Sequence, residues 1–350
     1  MVGKKDLKII TINLLILLVF IIFTDLATAF IKRNSGSERV SGRQVNAYFH
    51  HGLIPNSTFK HNWVKGKEII EKINKFGFRS NNSDLEVSSL KEYKTVLIGD
   101  SFAEGVGVLN SKIIPSLLPT KLWPIANLGV ISHTPYLSKS RLSYYRSRGL
   151  NPKNIIHLVD PSDFQDELHY YKIEGFRPPY NFLSKALANI VGDSFLSSTF
   201  TWEALLTVSW LMNSENLIRS IDLYKYWGGR NNYYKDRYPF KESKEPSYFQ
   251  ESKERLISQL KLSVEANRDS NYIIVIYEWP PLFESYSSKR YQRFELYKNE
   301  LEKLTDQFEN SFLCDASKAN LKKEDFIKGD AHWNENGHRK ISNFIANKCI

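Results

Sequence analysis

The segment TVLIGDSF, residues 95–102, decides the fold of this 350-residue chain. Its first four residues are apolar or β-branched, which is typical of a strand buried on both faces of a sheet. Gly99 then permits a sharp turn, and Ser101 follows where the strand passes into a helix. Reactive groups in open α/β sheets lie at the carboxyl ends of strands, so Ser101 is a candidate nucleophile. A turn serine without chemistry is the alternative.

Four further runs resemble buried strands, and long amphipathic segments separate them. The strand-like runs are IANLGV (125–130), NIIHLVD (154–160), NYIIVIYEW (271–279) and SFLCDA (311–316). The helical segments cover 135–149, 247–269 and 336–349. This alternation predicts an α/β fold in which a parallel sheet of about five strands carries helices on both faces.

The tetrad Gly-Asp-Ser-Phe occurs a second time, around Ser194. The preceding residues, FLSKALANIV, have apolar positions at three- and four-residue spacing, which indicates a helix rather than a strand. Gly192 is then a helix stop, and Asp193 or Ser194 is the next N-cap. We therefore predict no chemistry at Ser194.

A serine nucleophile needs a base, usually an imidazole oriented by a carboxylate. The segment IKGDAHWNENGHRKI, 327–341, places Asp330 two residues before His332. In an extended loop these side chains project to the same side, so Asp330 can orient the His332 ring. A polar loop with an exposed or capping His332 is the alternative. His338, on the final helix, is predicted to be a surface residue.

Three blocks resemble the SGNH/GDSL hydrolases, a family of esterases, lipases and acyl-transfer enzymes. They are VLIGDSF, NLGV (127–130) and DAHWNENGH (330–338). The resemblance implies a flavodoxin-like three-layer αβα fold with Ser101, Asp330 and His332 as the catalytic residues and the Gly129 N–H as an oxyanion donor. The Asp-x-His spacing followed by Trp333 is similar to the branch that includes alginate O-acetylation proteins.

One block departs from the family pattern. The third block of the family carries an asparagine whose amide donates to the oxyanion, and Ser162 stands at that position in LVDPSDFQDE, 158–167. A hydroxyl is shorter and donates one hydrogen bond. Loss of an oxyanion donor typically costs about 2.7 to 4 kcal/mol of transition-state stabilisation. Ser162 is predicted to be a weaker donor to the oxyanion. The alternative, a protein that has this fold and binds a ligand without catalysis, stays open.

The N-terminal residues 9–31 are almost entirely apolar, with Asp25 as the one charge. A helix of this length, about 34 Å, spans a hydrocarbon core of about 30 Å. The segment is predicted to be an anchor, while the ATA motif at 27–29 leaves a cleaved signal peptide open. Either reading places the remaining chain outside the cytoplasm, periplasmic or extracellular, and secreted if the segment is cleaved.

The chain is expected to divide into three parts. These are the membrane or signal segment (1–34), a linker and N-terminal extension (35–92), and the hydrolase-like domain (93–350) with a helical insertion at about 165–246. The two cysteines, Cys314 and Cys349, can form a disulfide or remain buried thiols.

The formal charge of +10 suits anionic partners, but the basic residues are spread along the chain and no nucleic-acid motif accompanies them. We therefore predict no nucleic-acid partner, and we predict no cofactor. No metal is predicted either, since no histidine pair has the spacing of metal ligands. The expected function is hydrolysis or transfer of acyl or acetyl esters on a cell-surface carbohydrate. A non-catalytic polysaccharide-binding or assembly protein and a membrane lipase or phospholipase are the alternatives, and the oligomeric state is left open.

Overall fold

The computed structural model describes residues 42–46, 48–64, 67–163, 166–167, 249–278 and 289–350, together with helical positions at 11–13, 15–16, 19–20 and 23. Most of the predicted anchor, nearly all of the insertion and Ser194 lie outside these residues. Within the described part, no helix is both long enough and apolar enough to cross a membrane.

A five-stranded parallel sheet forms the centre of the domain, as predicted. Its strands are β5 (Thr95–Ile98), β6 (Ile125–Asn127), β7 (Asn154–Val159), β8 (Asn271–Ile276) and β9 (Ser311–Asp315). They pair in the order β6-β5-β7-β8-β9, each parallel to its neighbours. All five carboxyl ends therefore meet at one edge of the sheet.

Side-chain alternation along the strands divides the core into two halves. In β5, Val96 and Ile98 enter one apolar cluster, and Leu97 enters the other. Burial on both faces explains why the strands read as continuous apolar runs rather than alternating ones. The chain thus matches a three-layer αβα arrangement.

Helices cover both faces of the sheet. The helices are α1 (Ser101–Glu104), α2 (Ile114–Leu117), α3 (Pro135–Arg146), α4 (Phe249–Glu265), α5 (Lys289–Thr305) and α6 (Glu335–Lys348). Residues of α3, α4 and α5 fill the first apolar cluster, and residues of α2 and α6 fill the second. The predicted helices correspond to α3, α4 and α6, and α5 is an additional one.

The N-terminal extension contains two antiparallel strand pairs. β1 (Arg43–Asn46) pairs with β2 (His50–Leu53), and β3 (Thr58–Val64) pairs with β4 (Lys67–Lys72). Arg43 forms an ion pair with the buried carboxylate of Glu104 in α1. The extension is thereby joined to the helix that begins at Ser101.

A disulfide joins Cys314 in β9 to Cys349 at the end of α6, with Cα atoms 5.6 Å apart. Of the two alternatives left open by the sequence, the structure contains the disulfide. It attaches the last helix to the edge strand of the sheet.

Candidate active site

Ser101 lies in a buried turn at the carboxyl end of β5. The Asp100 side chain caps α1 by accepting the Phe102 N–H at 3.0 Å, so Ser101 is the first helical residue. Gly99 has a φ of 140°, and a Cβ there would lie 2.7 Å from the Leu158 carbonyl oxygen. The turn therefore requires glycine, and it places Ser101 at the carboxyl edge of the sheet with 6% exposure.

The second half of the site is the loop of residues 325–334, which precedes α6. The Ile327 N–H donates to the His332 carbonyl at 2.8 Å, and the Asn334 N–H donates to the Asp325 carbonyl at 2.9 Å. The Asn334 side chain caps α6. Trp333 is fully buried in the second apolar cluster, so the loop is fixed to the core beside His332.

The structure brings Ser101, His332 and Asp330 together. His332 Nε2 lies 2.7 Å from Ser101 Oγ, and His332 Nδ1 lies 2.5 Å from Asp330 Oδ1. The same Asp330 oxygen accepts the His332 backbone N–H at 2.9 Å. With Nδ1 donating to the carboxylate, Nε2 is left to accept the serine proton. This is the geometry that a base-activated hydroxyl needs.

Aromatic rings hold the imidazole from behind. Phe102 stacks on His332 with ring centroids 4.9 Å apart and an angle of 28° between the planes. Trp333 and Tyr277 pack against Phe102 at 4.7 and 4.9 Å. Phe102 had no predicted role, although its position directly after the serine is visible in the sequence.

The prediction that His338 is a surface residue is wrong. Its exposure is 1%, because the face of α6 that carries it packs against Trp333. Burial, with smaller contributions from Arg79 and His332, lowers the pKa of His338 to about 3. His338 is therefore a neutral core residue.

Gly129 lies against α1, where it packs on Ala103 and Glu104. The Leu128 and Val130 N–H groups donate to the Leu97 and Gly99 carbonyls at 2.8 and 3.1 Å, which aligns this loop with β5. A Cβ at Gly129 would lie 2.3 Å from the Glu104 nitrogen, so only glycine fits. The Gly129 N–H donates to Asn127 Oδ1 at 3.0 Å.

Ser162 lies at the end of β7, the strand next to β5. Its hydroxyl and its N–H both donate to Asp160 Oδ1, and Tyr277 donates to Asp160 Oδ2 at 3.0 Å. The hydroxyl is thus directed to Asp160 rather than to the Ser101–His332 pair. The sequence analysis did not assign a role to Asp160.

Three buried carboxyl groups, those of Asp100, Asp160 and Asp163, lie near one another after the ends of β5 and β7. Burial and the proximity of Asp160 raise the pKa of Asp100 well above its ordinary value, and burial with Asp100 and Asp160 does the same for Asp163. The sequence signal for these buried carboxyl groups was their position, since acidic residues come directly after the buried strands β5 and β7.

Among the described residues, no group of three or more histidines, cysteines or acids is arranged to hold a metal ion.

No family model matches this chain. No curated protein matches it either. Three similar solved structures are described as "a putative platelet activating factor from Streptococcus pneumonia", "a putative lipolytic protein of G-D-S-L family from Desulfitobacterium hafniense DCB-2" and "a member of the lipolytic protein G-D-S-L family from Veillonella parvula DSM 2008".

Their identities to this chain are 11%, 13% and 10%, with TM-scores of 0.37, 0.37 and 0.38. The matches cover 75%, 73% and 73% of this chain and 85%, 98% and 97% of the others.

Proposed function

We propose that the chain is a serine esterase of the SGNH type, with Ser101 as nucleophile, His332 as general base and Asp330 as the residue that orients His332. The observation that carries the proposal is the continuous contact from the Asp330 carboxylate through the imidazole to Ser101 Oγ. An unassisted serine hydroxyl is a weak nucleophile near neutral pH. Here its proton has an acceptor already in place.

The reaction proceeds in two steps. Ser101 Oγ bonds to the ester carbonyl carbon while its proton passes to His332 Nε2, and the tetrahedral intermediate then loses an alcohol that takes this proton from His332. Water, or the hydroxyl of an acceptor, attacks the resulting acyl-serine and gives its proton to His332. The bond between the acyl carbon and Ser101 Oγ then breaks, the acid or the new ester leaves, and Ser101 Oγ takes the proton back from His332. Asp330 stabilises the imidazolium through Nδ1 in both steps. Hydrolysis and acyl transfer differ in which hydroxyl attacks second.

The oxyanion is held by the N–H groups of Ser101 and Gly129, with the Ser162 hydroxyl as a third donor. The Ser101 N–H belongs to the first turn of α1, where helical N–H groups have no acceptor within the helix. Binding requires the Gly129 N–H to exchange Asn127 Oδ1 for the oxyanion, and the Ser162 hydroxyl to leave Asp160. These exchanges weaken two of the three donors.

The substrate in this proposal is an acyl or acetyl ester on a cell-surface carbohydrate, and residues 9–31 anchor the enzyme to the membrane. The Cys314–Cys349 disulfide supports a location outside the cytoplasm, because disulfides persist in oxidising compartments. The basic surface of the chain suits the vicinity of anionic membranes or polymers.

Labelling with a fluorophosphonate, followed by peptide mapping, tests the proposal. The probe phosphonylates an activated serine, so Ser101 is expected to be modified and Ser101→Ala to remain unlabelled. Ser194→Ala is the matched control, because it alters the other copy of the same tetrad. An unlabelled wild-type chain, together with unchanged ester turnover in Ser101→Ala, would overturn the proposal.

A non-catalytic carbohydrate-binding protein is the second candidate. It is favoured by the internal acceptors that occupy the Gly129 N–H and the Ser162 hydroxyl. Such a protein binds an acylated glycan equally well as wild type and as Ser101→Ala, and neither form releases acetate. Release of acetate by the wild type alone identifies the enzyme.

A further inference from the structure

A polar cavity lies at the edge of the sheet that carries Ser101. Its volume is about 270 Å³, and it is lined by Glu278, Ser317, Lys318, Asn320 and Leu321. Glu278 follows β8 by two residues, and the other four follow β9. Because β5, β7, β8 and β9 are parallel and adjacent, this cavity opens on the same edge as the catalytic serine.

Glu278 is the unusual member of the lining. It is only 5% exposed, yet no described residue forms a hydrogen bond with its carboxyl group. Buried polar groups are normally paired, since an unsatisfied buried carboxyl is costly. Glu278 lines the cavity and has no hydrogen-bond partner among the described residues, so its carboxyl group is available to a ligand.

The surrounding charges restrict the kind of ligand. Burial, with the nearby Asp315 and Glu295 carboxylates, raises the pKa of Glu278 to about 7. The Lys298 and Lys318 ammonium groups both form ion pairs with Asp315, so the acidic and basic charges around the cavity nearly balance. The lining therefore favours neither an anionic nor a cationic ligand. A hydroxyl both donates and accepts, so it can pair with either protonation state of Glu278.

The volume and position of the cavity restrict the kind of ligand further. The volume is slightly below the roughly 300–1,000 Å³ of pockets that enclose drug-sized ligands, so the cavity suits one ring. Strands in a sheet are about 4.8 Å apart, and β8 lies two strands from β5, so the cavity begins about 10 Å from Ser101 along the edge. A small ester bound at Ser101 does not extend that far, whereas an oligomer does.

We infer that this cavity is a subsite for an uncharged, hydroxyl-rich ring of an oligomeric substrate, a neutral sugar residue, with Glu278 and Lys318 as its hydrogen-bonding groups. The inference deepens the proposed function and rests on it for the position of the ester at Ser101. The preference for longer oligosaccharides is then determined by residues that follow β8 and β9 rather than by the catalytic residues.

The first test measures binding alone. Calorimetric titration of the wild-type chain with xylohexaose, which carries no ester, is expected to give saturable binding that Glu278→Leu weakens about tenfold or more. Leucine removes the hydrogen-bonding group and keeps the bulk. Absence of binding to the wild type, or equal binding to both proteins, overturns the subsite whether or not the chain is an esterase.

The second test separates the subsite from the catalytic centre. The kcat/KM for O-acetylated xylo-oligosaccharides is expected to rise with length in the wild type, and Glu278→Leu and Lys318→Met are expected to lose about tenfold of that gain. Turnover of p-nitrophenyl acetate should stay within twofold in both. Unchanged length dependence in the variants overturns the subsite.

Lys303→Met is the matched control for Lys318→Met. The two lysine side chains are 69% and 70% exposed, and each forms an ion pair with an acid three residues away. Lys303 lies on α5, away from the cavity lining, so its variant should keep the length dependence. Equal losses in the two lysine variants would contradict the assignment. A wild type that binds xylohexaose but does not turn over p-nitrophenyl acetate would reject the esterase and retain the binding site.

Discussion

The turn after β5 and the loop before α6 are joined by the hydrogen bond between Ser101 and His332, but different kinds of contact hold them in place. Ser101 is held by contacts distant in sequence: Leu158 packs against Gly99, and Gly129 packs against α1. His332 is held mainly by residues within its own ten-residue loop, from Asp325 to Asn334. The first region is buried, whereas the His332 and Asp330 side chains are 17% and 30% exposed.

The difference separates two requirements of the site. The nucleophile needs a rigid position, and long-range packing provides it. The base needs solvent access for water or an acceptor hydroxyl, and a local loop fixed by the buried Trp333 provides that access. Substitutions in the two regions should therefore differ in whether they lower activity or stability.

The largest expected effect tests whether the two regions act as one unit. Ser101→Ala and His332→Ala should each reduce kcat about 10⁴-fold or more, and the double variant should be no worse than either single one. Neither should lower the melting temperature by more than a few degrees. Single-turnover kinetics with p-nitrophenyl acetate measures the losses, and additive losses would show that the two residues act separately.

The disulfide closes the segment that contains the second region, and it should make the largest single contribution to the stability of that segment. Replacing both cysteines with serine releases a loop of 35 residues and should lower the free energy of unfolding by about 3–4 kcal/mol. Urea unfolding measures this change. The labelling rate of Ser101 at low temperature should change little, because the bond lies at the far end of α6. A large loss of labelling without loss of stability would contradict this separation.

Two glycines provide a matched pair between the regions. Gly129→Ala forces a methyl group to within 2.3 Å of backbone and should cost about 3 kcal/mol together with most of the activity. Gly329→Ala, in the loop, meets nothing within 4 Å and has only its φ of 82° to strain. It should cost about 1 kcal/mol. Thermal unfolding of both variants measures the difference, and equal costs would remove the contrast.

The effect that is smallest at neutral pH concerns His338, because it develops only as the pH falls. In the folded chain the pKa of His338 is lowered to about 3, so the unfolded chain binds a proton that the folded chain refuses between about pH 6.5 and 3. This contribution to stability is present above pH 6.5 and is lost as the pH falls. His338→Gln should reduce the pH dependence of unfolding by about 1.4 kcal/mol per pH unit in that interval. Urea unfolding from pH 4 to 6.5 measures it, and an unchanged slope would show that His338 accepts a proton in the fold.

The sequence alone predicted the five strands of the central sheet, their parallel arrangement and three of the helices α1 to α6. It could do so because strands buried on both faces must be continuously apolar, and because surface helices show their period directly. The pairing of Asp330 with His332 was also predictable, because two residues of separation in an extended loop determine which side chains are adjacent.

Only the tertiary structure decided what each polar group contacts. His338 reads as a surface residue until Trp333 covers it, and Ser162 reads as a hydroxyl with no internal acceptor until Asp160 accepts its hydrogen bond. Glu278 is an ordinary acid in the sequence, and in the fold it is nearly buried with no hydrogen-bond partner among the described residues. Local patterns report which face of an element is apolar. The partners of a buried polar group come from distant strands, and those distances are set when the sheet assembles.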